Sequence, residues 1–222
     1  MIKEIKHVVT LFLLSMATIQ NAIGQQVIAA EPYSYLESAL PDGGSMDVND
    51  DGDTTDTIYW VDTIEHLLWI SETSSAWRRS NIYLQAEDID LSGTQYWDDA
   101  DDDGNGNKFD DPNDLTNEGN NEGWLPIAFT SIFSGVYNGD YRRIISMTIN
   151  RPSANRPVGF ISMCSGAFGT TSKVMKLGFV DGYVHGGTAQ VGGIIGYVQS
   201  ISNTTIIDEV LLIENNNYSK IG

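Results

Sequence analysis

The sequence predicts a mostly-β chain whose strands stack into a right-handed parallel β-helix, or β-solenoid, with one N-terminal capping helix and an acidic loop insertion. Two glycine-rich segments, which begin at Val158 and Val191, lie 33 residues apart, and each is followed 18 or 19 residues later by a short apolar run. A third apolar run, around Met147, lies about one period earlier. Repeats of this length are typical of stacked units, because a unit so small must bury its apolar side against a neighbour.

The residue types in these segments favour β-units over helical ones. The apolar runs are short, rich in β-branched residues and separated by Gly, Asn and Ser, which is typical of strands and turns. The pairs Gly186-Gly187 and Gly192-Gly193 would destabilise a helix by roughly 1 kcal/mol per glycine, whereas they permit tight corners between strands. An antiparallel sandwich with two similar hairpins is the alternative.

Residues 1–24 are typical of an export signal. Lys3 and Lys6 give a basic start, residues 8–19 form an apolar core too short to span a bilayer comfortably, and Ala22-Ile23-Gly24 is a small-x-small cleavage site. An uncleaved membrane anchor is the alternative. No later apolar stretch reaches membrane-spanning length. We therefore expect no integral membrane segment after cleavage, and a protein that is secreted or exposed at the cell surface.

The negative charge of the chain is concentrated in one region. The formal net charge is -18; residues 42–123 hold 22 acidic and three basic side chains, whereas residues 124–222 hold five acidic and seven basic ones. Such acidity argues against a nucleic-acid partner, which would favour a basic face, and it suits cations or solubility. The single Cys164 cannot form an internal disulfide, so stacking or bound metal is expected to stabilise the exported fold.

The N-terminal part divides into a lead-in and one helix. Residues 25–57 form a turn-rich acidic lead-in that could include a first strand, and the β-solenoid domain is expected over residues 58–222. An amphipathic pattern predicts a helix over residues 62–71, with Asp62 as its N-cap and Glu65 three residues later. We expect this helix to cover the open end of the solenoid. Three nearby tryptophans suit either the core or a sugar-stacking platform: Trp60, Trp69 and Trp77.

The first of two acidic segments begins like a calcium-binding loop. It runs from Asp47 to Asp53 in the order D-x-N-x-D-G-D, but position twelve of such a loop is Ile58, which has no carboxylate to close the ligand shell. We interpret it as a solvated acidic loop, with a partial ion site as the alternative.

The second acidic segment, an insertion over residues 98–121, is the sharpest chemical signal in the sequence. Read from Asp99, it has oxygen-bearing side chains at positions 1, 3, 5, 7, 9 and 12 and Gly104 at position 6, the spacing of an EF-hand-like calcium loop. Its flanks are not clearly helical, so it resembles the loops of dockerins and thrombospondin type 3 repeats. No His or Cys is near, which disfavours zinc; a solvated insertion is the alternative. The predicted Ca²⁺ ligands are Asp99, Asp101, Asp103, Asn105, Asn107 and Asp110.

Four motifs in order carry a resemblance to a known family. The segment from Val191 to Val198 reads V-G-G-I-I-G-Y-V and is similar to the core of the GLUG motif. Upstream lie Asp88-Ile89-Asp90-Leu91, Trp124-Leu125-Pro126-Ile127 and the segment from Phe133 to Gly139, which reads F-S-G-V-Y-N-G, in the order that commonly precedes such repeats. The chain therefore resembles the GLUG-motif repeat proteins, which are bacterial secreted or surface proteins. The resemblance implies stacked β-repeats and an adhesin-like role.

These observations favour a non-catalytic secreted or cell-surface module for adhesion or assembly, stabilised by calcium. Its repeats are expected over residues 124–222, as part of a longer array or with edge-to-edge self-association, and its partner is expected to be an extracellular glycan or a surface protein. One alternative is a carbohydrate-active β-helix enzyme of polysaccharide lyase or glycosidase type, in which Arg142 and Arg143 would bind an acidic glycan. The other is a glycan-binding module. The sequence predicts no catalytic residues.

Overall fold

The computed structural model describes residues 27–78, 80–97, 121–166, 171–199, 205–214 and 217–220. These residues form mostly short strands, one α-helix and two 3-10 helices at Ser74–Trp77 and Ser92–Tyr96. The helix, α1, spans Ile64–Glu72. The strands are β1 Tyr33–Leu36, β2 Thr57–Val61, β3 Ile82–Gln85, β4 Ile89–Asp90, β5 Val136–Asn138, β6 Arg143–Ile145, β7 Thr148–Asn150, β8 Ile161–Cys164, β9 Ser172–Met175, β10 Gly178–Val180, β11 Tyr183–His185, β12 Ile195–Val198, β13 Thr205–Asp208, β14 Leu211–Glu214 and β15 Asn217–Lys220.

Most neighbouring strands run parallel. The six-stranded sheet has the order β1-β2-β3-β5-β9-β13, and the five-stranded sheet has the order β15-β14-β10-β6-β4. Two further pairs are β11 with β7 and β12 with β8. Among the described strands, only the pairs β1–β2 and β14–β15 are antiparallel. The mostly-β prediction is confirmed, and the parallel pairing contradicts the antiparallel-sandwich alternative.

The two glycine-rich segments predicted as repeats lie side by side. Val158 faces Val191 in a parallel bridge, and Ile161 faces Ile195 further along. Glycine is required at position 159 because a Cβ there would lie 2.7 Å from the backbone nitrogen of Gly196. The 33-residue spacing in the sequence is therefore the length of chain between two segments that pair side by side.

The main core collects buried side chains from every sheet. The indole of Trp124 stacks on the ring of Phe160, with centroids 5.8 Å apart, and Tyr137 packs edge-on against Phe160 at 5.6 Å. Cys164 is a free, buried thiol whose Sγ lies 3.0 Å from Oγ of Ser172. Burial raises the pKa of this thiol to about 11. The cysteine thus acts as a small core residue, as the lack of a second cysteine suggests.

A second, smaller core lies on the opposite face of the six-stranded sheet. In β3, Tyr83 belongs to the main core, whereas Ile82 and Leu84 belong to this second cluster. All four residues of β3 are buried. The reason is that the lead-in covers the second face with Leu40 and Val48.

The helix α1 contributes Leu67, Leu68 and Ile70 to the main core. Its N-cap is Thr63, whose Oγ1 accepts a hydrogen bond from the backbone nitrogen of His66 at 3.4 Å. The prediction of Asp62 as the cap is therefore wrong. The Asp62 side chain instead places Oδ1 2.9 Å from Nδ1 of His66. In the part of the chain that the structure describes, no helix has the length and apolar character needed to cross a bilayer.

Candidate metal centre

The predicted calcium insertion lies almost wholly outside the described residues. All six predicted ligands, from Asp99 to Asp110, fall in the range 98–120, for which the structure gives no description. This calcium site therefore stays a prediction. The structure does describe the first acidic loop, which we define as residues 47–56.

Three carboxylates at this first acidic loop come together. One oxygen each of Glu37, Asp53 and Asp56 lie within 4.8 Å of one another. Carboxylate oxygens at this spacing are what a hard cation requires from a protein. The three side chains therefore form an acidic group that could hold a metal ion.

Glu37 is the unusual member of this group because it is fully buried. Its Oε1 accepts a hydrogen bond from the backbone nitrogen of Val48 at 2.7 Å, but its Oε2 is buried and has no hydrogen-bond partner among the described residues. Burial raises the pKa of the Glu37 carboxyl; the charges of Asp56 and Asp47 also raise it, and the Val48 N–H opposes the shift. A buried carboxylate oxygen without a partner is costly unless a cation or a proton offsets it.

The backbone holds Glu37 in this position. Glu37 follows β1, its nitrogen donates to the carbonyl oxygen of Asp56 at 3.0 Å, and its carbonyl oxygen accepts from the nitrogen of Met46 at 3.0 Å. The backbone of Glu37 is therefore hydrogen-bonded to Asp56, at the end of the acidic loop, and to Met46, which precedes the loop. The approach of its carboxylate to Asp56 follows from the way the loop closes.

The acidic loop is held in shape by hydrogen bonds to its own side chains. The carboxylate of Asp47 accepts hydrogen bonds from the nitrogens of Asp51 at 3.0 Å and Gly52 at 2.8 Å. Gly52 has φ of 103°, a left-handed value that favours glycine. At the far side, Nδ2 of Asn49 donates to Oδ2 of Asp56 at 2.6 Å. The side chains of positions 47 and 49 thus bond within the loop, while Asp53 and Asp56 approach Glu37.

The start of the loop is packed against the six-stranded sheet. Val48 is fully buried, and Nδ2 of Asn138 in β5 donates to its carbonyl oxygen at 2.8 Å. The ammonium of Lys173 in β9 donates to the carbonyl oxygens of Asn49 and Asp50. Asp50, Asp51 and Asp53 are nevertheless exposed, as expected of a solvated acidic loop, and the carboxylate group also agrees with the alternative, a partial ion site.

Sequence reasoning missed Glu37 because the calcium-loop pattern considers only residues that follow Asp47 in the chain. Position twelve is Ile58, which lies buried in β2, and the missing carboxylate comes from ten residues before Asp47 instead. One signal was available: Glu37 stands directly after the strand-like run Tyr33–Leu36, where it lies close to apolar residues in the chain. In a calcium-type loop that lacks the acidic residue at position twelve, a carboxylate from another part of the chain can take its place.

Arg143, one of the two arginines considered for binding an acidic polysaccharide, forms an ion pair with Asp88. Nε and Nη2 of Arg143 donate to Oδ2 of Asp88 at 2.9 and 2.5 Å, and this ion pair holds the pKa of the Asp88 carboxyl below its usual value. Asp88 precedes β4, whereas Arg143 begins β6. The guanidinium of Arg143 is therefore held against a neighbouring strand end.

The three tryptophans pack as core residues. Trp77 is buried in the main core, and its Nε1 donates to the carbonyl oxygen of Ile70 at 2.6 Å. Trp69 is partly buried against the same core, and Trp60 is partly buried against the second core. The residues therefore do not form a shared coplanar platform for a sugar.

A scan against protein-family models found no match, and searches of curated proteins and of solved structures found none either.

Proposed function

We propose that the chain is a non-catalytic secreted or cell-surface module in which β-coils stack as a right-handed parallel β-solenoid for adhesion or assembly. We also propose that Ca²⁺ bound by Glu37, Asp53 and Asp56 stabilises its N-terminal end. The observation that carries the ion site is the carboxylate of Glu37, whose Oε2 is buried without a partner among the described residues and of which one oxygen lies within 4.8 Å of oxygens of Asp53 and Asp56.

Calcium fits this site better than other common ions. The available ligands are carboxylate and carbonyl oxygens, and no His or Cys belongs to the group, which disfavours zinc. Calcium accepts six to eight oxygens in flexible arrangements, whereas magnesium requires a nearly ideal octahedron and retains its waters. Asp47, Asn49 and Asp51 are the loop residues best placed in sequence to add oxygens as the ion binds. An exported protein meets calcium at about the millimolar level that suits extracellular modules.

The proposed architecture and role have separate support. Strands at successive repeats pair in parallel and in register, as in β9 with β13 and β10 with β14, which is the arrangement expected of stacked coils. The resemblance to GLUG-motif proteins adds the expectation of a surface role. The carbohydrate-active enzyme alternative relied on Arg142 and Arg143, of which Arg143 pairs with Asp88.

Thermal unfolding with millimolar calcium and with EDTA tests the ion site. At a calcium concentration about 100 times the Kd, binding to the folded state alone adds about 2.7 kcal/mol, which raises the Tm of a domain of this size by roughly 5–10 °C. We expect Glu37→Gln to remove most of this rise. Asp42→Asn is the matched control, because Asp42 is an exposed acid whose Oδ1 bonds only locally to the nitrogen of Gly44.

A second pair of variants separates the two acidic segments. Asp101→Asn with Asp103→Asn removes two ligands of the predicted insertion site and leaves the Glu37 site intact. A calcium shift that survives Glu37→Gln but disappears in this double variant would move the stabilising ion to the insertion. Absence of any calcium shift in the unaltered protein would refute the calcium part of the proposal.

A further inference from the structure

A cleft of about 650 Å³ lies beside the turn that follows β7. This volume is within the range of about 300–1,000 Å³ that small-molecule sites occupy. The cleft is separate from the acidic group at Glu37 and shares no residue with it. Its lining comes from residues 122, 129 and 150–156.

The cleft has a buried arginine among its lining residues. Arg151 is 7% exposed, and its guanidinium carbon lies 5.2 Å from the centroid of the Phe129 ring. Its Nη2 also approaches the carbonyl oxygen of Gly123, at 3.5 Å. A guanidinium held in this way is preorganised, because its position is fixed by an aromatic ring and by the backbone.

The turn that forms one wall is held in place by the next part of the chain. The nitrogen of Arg151 donates to the carbonyl oxygen of His185 at 2.7 Å, and the nitrogen of Thr188 donates to the carbonyl oxygen of Ala154 at 3.1 Å. A Cβ at Gly187 would lie 2.2 Å from that same carbonyl oxygen, so only glycine allows this contact. The cleft is therefore formed by the fold itself and does not require a ligand to shape it.

The charge of the cleft is opposite to that of the chain. Arg151 and Arg156 line it together with one acid, Glu122, whereas the whole chain has a formal net charge of -18. Arg156 is exposed and makes no ion pair with another residue in the described ranges. The guanidinium of Arg156 favours a carboxylate ligand, which it can bind through paired N–H donors.

We propose that this cleft binds an acidic saccharide, with Arg156 binding a uronic-acid carboxylate. The amides of Asn150 and Asn155 and the hydroxyl of Ser153 supply the donors and acceptors that sugar hydroxyls require, and Phe129 supplies an apolar wall. A nucleic acid is disfavoured, because a row of phosphates requires an extended basic face and only two basic residues of the described chain line the cleft. The inference deepens the proposed function by naming a ligand class for the extracellular module, and it depends on that function.

Calorimetric titration with trigalacturonate tests this site, with maltotriose as the neutral sugar of the same length. We expect binding of trigalacturonate that weakens as salt is added, and at least tenfold weaker binding of maltotriose. Arg156→Ala is expected to weaken the acidic trimer at least fivefold, and Asn155→Asp at least tenfold. The matched control is Arg142→Ala, which also lowers the net charge by one but removes an exposed arginine outside the cleft.

Each outcome separates a built site from general electrostatic attraction. Equal weakening in Arg156→Ala and Arg142→Ala, equal binding of the two trimers, or no binding at all would each overturn the proposal. Arg151 is left unchanged because its burial makes a folding defect the expected result of substitution. Calcium-dependent unfolding of the same samples reports on the ion site separately, so a failure of saccharide binding does not depend on a failure of the calcium proposal.

Discussion

Two neighbouring pairs of strands, β8 with β9 (here called the inner coil) and β12 with β13 (the last coil), differ in burial although β12 pairs with β8 and β13 with β9 in register. Cys164 and Val174 are fully buried, yet the residues that face them one coil later, Val198 and Ile207, are 38% and 42% exposed. Val158 is likewise buried while its partner Val191 is 47% exposed. The apolar pattern repeats, but its burial does not.

The difference shows where the stability of each coil originates. An inner coil has neighbours on both sides, whereas described residues cover the last coil mainly on one side. In a stack in which each unit contacts only its neighbours, stability is a sum of units and interfaces. The same residue type should therefore contribute several times more inside the stack than at its C-terminal end.

Removing a large inner side chain should have the largest effect. Phe160→Ala deletes a fully buried ring that contacts Trp124 and Tyr137, and we expect it to lower the free energy of unfolding by about 3–5 kcal/mol. Ile207→Ala at the last coil should cost less than about 1 kcal/mol, because its side chain is already half solvated. Urea unfolding of both variants measures the two costs, and equal costs would contradict the comparison.

Widening the contact between the coils should have an intermediate effect. Gly159→Ala places a Cβ 2.7 Å from the backbone nitrogen of Gly196 and 2.8 Å from the carbonyl oxygen of Gly192, so the coils must move apart. We expect a loss of about 1–3 kcal/mol, as for overpacked cores. Gly93→Ala is the control, because a Cβ there meets no atom within 4 Å. A similar loss in both variants would indicate that the glycine contact does not hold the coils together.

Thiol reactivity sharpens the comparison by reporting the solvent access of each position. The pKa of Cys164 is raised to about 11 by burial, so near pH 8 its thiol should be both protonated and shielded. Combining Cys164→Ser with Val198→Cys moves the thiol to the facing position of the last coil. We expect a thiol-specific disulfide reagent to react roughly 100-fold faster with this variant than with the unaltered native protein. Equal rates would mean that both positions open together.

The repeat and the helix could be predicted from the sequence because both depend on local spacing. Val158 and Val191 carry the repeat in their own segments, and Leu67 and Leu68 lie on one helical face. The burial of β3 on both faces could not be predicted, since the cover comes from Val48 in a different segment. Glu37 was missed for the same reason, because its role depends on the return of the chain to β2.

The helix cap shows a smaller limit of the same kind. Asp62 and Thr63 are adjacent and both are good capping residues, so spacing alone could not choose between them. The side chain of Asp62 lies beside His66, which leaves Thr63 to cap the helix. The choice of cap is therefore linked to the contact between the side chains of Asp62 and His66.

The attachment of the first acidic loop has a mechanical consequence. The loop starts from the hairpin of β1 and β2, yet it is fastened to Asn138 in β5 and to Lys173 in β9. It therefore crosses the direction in which successive strands would peel apart under tension. A force that pulls the strands of the six-stranded sheet apart must first break the hydrogen bonds from Asn138 and Lys173 to the acidic loop. Only then can these strands separate one after another.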